Sequence, residues 1–547
     1  MSFNITFNGE KKSYEKPITV LEVVGSDRNI VCASVNNRVR ELTYVLDKDS
    51  VVIPLTCKDR DAKPTYEASL RFLVAMAMHN IHPEMDVRFS YNVSRSIFMQ
   101  ILKPEKTSAN NALLKELEAE MNRLIKADYP LVRSILSKEE TKKILLREGF
   151  EDRVEILNYR PEKTCHMYDC HGYKNYMYNR MVPSLGYITK WKLKYYHPGI
   201  IIQYPRPEVG GEIPEFEDAP IFGRTLKRAH EWAVATRFDS IVNINHRIEN
   251  DGDIDVITLG EQRHNRQLCE LGEIIEENKD EIRLICIAGP SSSGKTTFAN
   301  RLRIELLSRG IDPIRISMDD YYLPRDQAPK DENGEPDLEA VDALDVELFN
   351  KNMSDLVAGE TVDLPKFDFK VGHRVKGRTL RVPENQPIII EGIHALNDRM
   401  TESIPHHQKF KIFIAPQAQM NIDNHNPLSL TDLRLLRRIV RDYQFRGSSA
   451  LETMGMWASV RKGEFRWIYK TQEGANYVFN SYLPEELSVM KKYAMPLLQA
   501  IEQENPYFPV AERLIRMLKF FDDMPDNWVP CNSILREFIG GSCYADV

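Results

Sequence analysis

The sequence predicts a multidomain chain that ends in an α/β domain with a mostly parallel sheet and helices on both faces. Three observations predict it. β-type runs crowd residues 1–60. Residues 61–225 mix helical and strand-like text. From Arg283 onward strand and helix alternate around a glycine-rich turn. A length of 547 residues is enough for several domains with sizeable cores.

The elements follow in chain order. "FNITFNG", "NIVCASVNN" and "VVIPLTC" read as short strands punctuated by turn residues, so residues 1–60 form a small β-rich domain. Residues 61–225 open on "EASLRFLVAMAMHNI", which carries a helical pattern. Further on, "NALLKELEAEMNRLIKADYP" puts Leu113, Leu114, Leu117, Met121 and Leu124 at helical spacing and predicts an amphipathic helix. The Pro-, Gly- and Glu-rich residues 205–220 read as a surface loop, and residues 226–280 as a helical connection with two helical stretches. In residues 281–505, "LICIAG" is a buried strand before a Gly-rich turn, and "KTTFANRLRIELLSRG" is a helix stopped by Gly310. "PIRISM", "PIIIEG" and "KFKIFIA" are further strands, with "VELFNKNMSDLVAG" as a helix between the first two. Residues 506–547 are expected to be a helical tail.

Composition narrows the class. The chain is 42% apolar and 28% charged, ordinary for a globular protein, and no apolar run approaches the roughly 20 residues of a membrane helix. A net charge of −7 argues against a general nucleic-acid binder and leaves room for a local basic surface. Eight scattered cysteines show no disulfide framework, and "MSFNITFNGEKKSYEK" lacks the apolar core of a secretory signal, so a reducing cytoplasmic location and no membrane partner are expected.

The stretch Gly289-Pro290-Ser291-Ser292-Ser293-Gly294-Lys295-Thr296 matches the phosphate-loop pattern in its required context of strand before and helix after. Its glycines let backbone N–H groups turn inward, and the helix beginning near Lys295 adds its positive end. These residues and Thr297 are the candidate ATP-binding set. Lys295 reaches the β- and γ-phosphates, and Thr296 holds Mg²⁺. Two carboxylates fall on predicted sheet edges: Asp319 in "RISMDDYYLPR", suited to accept a substrate proton or orient Mg²⁺, and Glu391 ending "PIIIEG", suited to face a metal. "TDLRLLRRIVRDYQFRG" then places Arg434, Arg438 and Arg441 on one helical face, where they would neutralise charge on a transferring phosphoryl group.

Together "GPSSSGKTTF", "SMDDYY", "DALD", "LPKFDF…HR", "IIEGIHAL" and "DLRLLRRIVRD…RG" resemble the uridine kinase and phosphoribulokinase family over roughly residues 283–499. The resemblance implies transfer of the ATP γ-phosphate to a hydroxyl, in uridine kinases the 5′-hydroxyl of uridine or cytidine. It implies Asp319 as catalytic base beside Lys295, Arg438 and Arg441, and Tyr322, Phe367, His373, Arg374 and Arg446 as substrate-binding residues. It implies Thr296 and Glu391 as Mg²⁺ holders. The chain departs from the family at Phe367, where the family has Tyr, and His373 lies six residues beyond rather than five. Ser448 and Ser449 stand where uridine kinases carry a further Arg. A sugar or sugar-phosphate acceptor therefore stays open, as does a non-catalytic ATP-binding regulator of RNA or ribosomes.

Residues 1–60 resemble the β-grasp (TGS) module of threonyl-tRNA synthetases, and residues 61–225 resemble that enzyme's editing domain. The active form of that domain uses an HxxxH and a CxxxH pair. Here Ala68 and Phe72 replace both histidines of the first, and Lys174 replaces the histidine opposite Cys170. A zinc site needs about three protein ligands, so a degenerate domain is expected, with RNA contact or homo-oligomer formation as its open roles. Cys165, His166, Cys170 and His171 offer a rival local zinc reading, although they pair as neighbours rather than at metal-ligand spacing.

Overall fold

The computed structural model describes residues 2–330, 334, 336–368 and 371–546. Phe369 of the quoted "LPKFDF" lies outside them. The chain begins with a five-stranded mixed sheet in the order Glu10–Tyr14, Phe3–Phe7, Ser50–Thr56, Ile30–Val35, Arg38–Arg40. Its short helix Val20–Val24 starts at a capping box in which Thr19 and Glu22 satisfy each other's backbone N–H groups.

Next comes the helix Lys63–Ile81, buried along nearly its whole first four turns, followed by an antiparallel sheet ordered Lys192–Tyr196, Gly199–Gln203, Ser96–Lys103, Asp86–Val93. The helix Asn111–Ala127 buries Leu113, Leu117, Met121 and Leu124, as its spacing predicts, and leaves Leu114 half-buried at the stripe's margin. Asn110 caps it by accepting from the Leu113 N–H at 2.9 Å. One apolar core runs from Phe3 through Phe72 to Tyr204, so the first sheet and the helix–sheet layer behind it share an interior.

Residues 226–280 are more than the connection the sequence suggested. Three helices, Pro220–Ala235, Ile241–Asp251 and Asp253–Glu277, stand in place of two stretches, the last two separated by Gly252 at φ +85°. Ile257, Leu268 and Leu271 share a core with Ile285 and Phe298, and Arg301 pairs with Glu261 at 3.0 Å. The third helix therefore covers one face of the C-terminal sheet.

That sheet is parallel throughout, in the order Ile314–Ser317, Ile388–Glu391, Leu284–Ala288, Lys409–Ala415, Tyr477–Asn480. Its central strand is fully buried, and successive residues feed opposite cores: Ile285 and Ile287 one, Leu284, Cys286 and Ala288 the other. An antiparallel hairpin, Thr361–Asp368 with His373–Arg381, projects from this body. Among the described residues no helix is long and apolar enough to cross a membrane.

Candidate active site

The central strand delivers Gly289 beneath Ile414. A Cβ on Gly289 would stand 2.0 Å from the Ile414 carbonyl oxygen, so only glycine passes there. The loop then turns through Ser292 at φ +58° and Gly294 at φ +87° into the helix Lys295–Ser308. Among the described residues the hydroxyls of Ser292, Ser293 and Thr297 are buried without a hydrogen-bond partner, close in sequence to the first-turn N–H groups that make no bond within the helix. Such a cradle of donors and orphan hydroxyls fits a phosphate chain.

Lys295 folds back on this loop. Its Nζ donates to the carbonyls of Gly289 at 3.0 Å and Pro290 at 3.2 Å. Burial lowers its pKa, while the carboxylates of Glu391, Asp319 and Glu537 favour its charge. The lysine is therefore half-buried rather than loose in solvent.

Asp319 and Glu391 meet at the C-terminal edge of two neighbouring strands. Ser317 and Glu391 are register partners, and the Ser317 hydroxyl donates to Glu391 at 3.1 Å while accepting from the Asp319 N–H at 3.3 Å. Burial pushes the Glu391 carboxyl up to about 7, and the neighbouring Asp319 adds to the rise. Burial also raises Asp319, against the pull of Lys295, Arg446 and Arg441. A buried Glu391 and a half-buried Asp319 sharing one lysine form a site poised for a cation. Mg²⁺ commonly takes one or two carboxylates and completes its shell with water and phosphate oxygens. The residues present fit such an ion, with Thr296 at the second position of the loop helix.

The arginine helix, Leu430–Phe445, divides its labour. Arg434 donates to the Ser291 carbonyl at 3.0 Å and to Glu464 and Tyr469, while Arg437 reaches the carbonyls of Ser292 and Ser481 and pairs with Glu486. These two hold the outer wall of the loop. Arg434 shares the Ser291 side of the helix with Arg438, as its spacing predicts, but its guanidinium is taken up by Glu464, Tyr469 and the Ser291 carbonyl, so it is a structural grip. Arg438 donates to the Ser291 hydroxyl at 2.9 Å. Arg438, Arg441 and Arg446 gather round the buried Asp442 at 3.2, 2.6 and 3.7 Å. Nothing in the spacing singled out Asp442, which gathers three guanidiniums near the loop.

Among the residues expected to bind the substrate, the Tyr322 ring lies 5.9 Å from that of Phe367, and the Asp320 carboxylate accepts the Phe367 N–H at 3.2 Å. Phe367 faces Arg374 across the hairpin, and Asp368 faces His373. Opposed residues share a face and consecutive ones alternate, so Arg374 stays on the Phe367 side while exposed His373 falls on the other. His373 is thus corrected out of the Tyr322–Phe367 pair. Arg374 is held by Asp345 at 2.9 Å, the residue that caps the helix Val346–Val357.

Sequence reasoning also missed Glu339. Burial and the nearby Glu464 push its carboxyl up to about 7, against Arg438 and Lys295. Its side chain lies on Gly463, where a Cβ would come within 2.3 Å. It stands in irregular chain, where no periodicity marks it.

In the N-terminal half the positions expected to stand in place of metal-binding histidines are packed shut. Ala68 and Phe72 are buried, and Phe72 meets Tyr173 edge to face at 5.3 Å. Lys174 lies 3.6 Å from Asp169. The strand Thr164–Cys170 alternates faces: Cys165 enters a small core with Leu145, whereas His166 bonds the Met177 carbonyl at 2.7 Å. His171 stacks on Tyr129 at 4.1 Å. Among the described residues no group of three or more His, Cys, Asp or Glu is placed to hold a metal by protein ligands alone.

Residues 284–487 match the Phosphoribulokinase / Uridine kinase family. Over 177 residues the chain is 30% identical to the uridine kinase of Ureaplasma parvum serovar 3, covering 32% of this chain and 77% of that protein. It is likewise 30% identical over 196 residues to the uridine kinase of Macrococcus caseolyticus, covering 36% and 86%. The N-terminal region is similar to the threonine–tRNA ligase of Symbiobacterium thermophilum, 24% identical over 192 residues that make up 34% of this chain and 29% of that protein.

Proposed function

Since the chain belongs to the phosphoribulokinase / uridine kinase family, we propose that it transfers the γ-phosphate of ATP to the 5′-hydroxyl of uridine or cytidine. The observation that carries this reading is the convergence of Asp319, Glu391 and Lys295 at one sheet edge beside the phosphate loop.

The loop N–H groups and Lys295 bind the donor phosphates. Thr296 and Glu391 would hold Mg²⁺, which when bound draws negative charge from the phosphates. Asp319 accepts the acceptor hydroxyl proton as the oxygen bonds to the γ-phosphorus and the bond to the ADP oxygen breaks. Arg438 and Arg441 offset the charge that develops on the transferring group, and Arg446 lends its field to Asp319. Tyr322 and Phe367 form an aromatic wall for the acceptor, with Arg374 beside them.

A second reading has support of its own. His373 lies off the aromatic face and Phe367 lacks a hydroxyl, so the wall presents little to read a base. That favours phosphorylation of a sugar or sugar-phosphate hydroxyl by the same machinery. Purified protein with Mg·ATP and a panel of nucleosides, sugars and sugar phosphates separates the two. Mass gain of 5′-phosphate on uridine or cytidine supports the first, and gain on sugars alone transfers the assignment to the second.

For the N-terminal half we propose a synthetase-like β-grasp module at residues 1–60 and an editing-type domain without hydrolytic activity at residues 61–225. The Phe72–Tyr173 contact supports this, because it fills the space metal ligands would need. Ester hydrolysis of a mischarged tRNA by the purified chain would overturn it.

A further inference from the structure

Residues from the far end of the chain also press on the phosphate loop. Ile534, fully buried, sets its Cγ2 where a Cβ on Gly294 would be, 2.4 Å away. Phe538 lies under the Arg437 guanidinium at 4.9 Å. Leu535 and Ile539 are buried in the same core as the loop helix's Phe298. These anchors hold the segment in place. Between them Glu537 turns inward, and its Oε2 accepts the Thr297 N–H at 3.1 Å.

That N–H has a special position. The Phe298 N–H already bonds to the Gly294 carbonyl at 3.0 Å. Lys295, Thr296 and Thr297 therefore carry the first-turn donors that make no bond within the helix, where the helix's positive end faces incoming phosphate. Glu537 takes one of the three with a negative charge, and the same carboxylate acts on Lys295. A carboxylate there stands in for a phosphate oxygen.

We propose that Glu537 is an intramolecular occupant of the phosphate site, which a nucleotide must displace by swinging this side chain aside while Ile534 and Phe538 stay packed. The segment then acts as a built-in competitor that weakens nucleotide binding. A phosphate chain displaces it because it brings more charge and several acceptors to the cradle. The proposal rests on the phosphate-loop reading above and is independent of the acceptor.

The test is calorimetric titration of the full chain with ADP in Mg²⁺ buffer, comparing wild type with Glu537→Ala, Glu537→Gln and Asp546→Asn. Asp546 accepts from Asn300 Nδ2 at 3.0 Å and pairs with Arg315, so it removes equal charge nearby without freeing a loop N–H. The expected result is ADP binding about three- to tenfold tighter in Glu537→Ala, a smaller gain in Glu537→Gln, and a change below about twofold in Asp546→Asn. Unchanged or weaker binding in both Glu537 variants overturns the proposal, as does an equal gain in Asp546→Asn. Failure of every form to bind ADP removes the phosphate-loop reading itself. If Glu537→Ala does not fold, Glu537→Gln decides alone.

Discussion

The Ser317 hydroxyl donates to the Glu391 carboxylate at 3.1 Å across two adjacent parallel strands. The same oxygen accepts the Asp319 N–H. One small side chain thus sets the spacing of the two acids assigned to the metal and the acceptor proton. Removing a group that orients a metal ligand commonly costs 10- to 100-fold in metal affinity. Ser317→Ala should therefore raise the Mg²⁺ concentration for half-maximal activity about tenfold. A Mg²⁺ titration of initial rates checks it, and an unchanged midpoint would show that Ser317 does not orient Glu391.

Asp319→Asn keeps the side-chain volume and removes the proton acceptor. Turnover should fall by about 10² or more while ADP still binds. Collapse of ADP binding along with turnover would make Asp319 chiefly a metal-organising residue. Full activity would pass the role to Asp320, whose carboxylate accepts the Phe367 N–H.

Arg437 and Arg438 are neighbours on one helix with opposite expected phenotypes. Arg437 and Glu486 are both fully buried and paired, so Arg437→Ala strands a buried carboxylate and should cost about 3–5 kcal/mol of stability. Arg438 reaches the Ser291 hydroxyl at the loop's rim, so Arg438→Ala should lower turnover about 10²-fold and shift stability by about 1 kcal/mol or less. Denaturant melts and steady-state rates on both variants check the contrast, and equal stability losses would defeat it.

Glu339 carries the pH prediction. Its carboxyl rises from 4.5 to about 7, first through burial and then through Glu464. The folded state therefore holds a proton that the unfolded state releases between those values. Stability from this group is present at low pH and declines as pH rises from about 4.5 toward about 7. Glu339→Gln lacks that decline, so its melting temperature relative to wild type should climb across the window. A constant difference between the two melting curves would place Glu339 outside this linkage.

Some of this protein was legible in its sequence because the relevant physics is local. The phosphate loop needs contiguous backbone, and Gly289, Gly294 and Lys295 spell it between a buried strand and a helix. The stripe Leu113–Leu117–Met121–Leu124 follows from 3.6-residue periodicity alone. Glu391 ends a strand and Asp319 follows two residues after the end of its neighbour, and strand ends in a parallel sheet share an edge. Tertiary structure decided what depends on partners distant in sequence. Which arginines grip the loop and which face the site turned on Glu464, Glu486 and Asp442. Hairpin register took His373 off the aromatic face, since a single residue's offset reverses side-chain direction in a strand. The meeting of Glu537 with Thr297 spans 240 residues. No propensity or spacing encodes such a contact, because it comes from packing Ile534 and Phe538 into a core built by the rest of the chain.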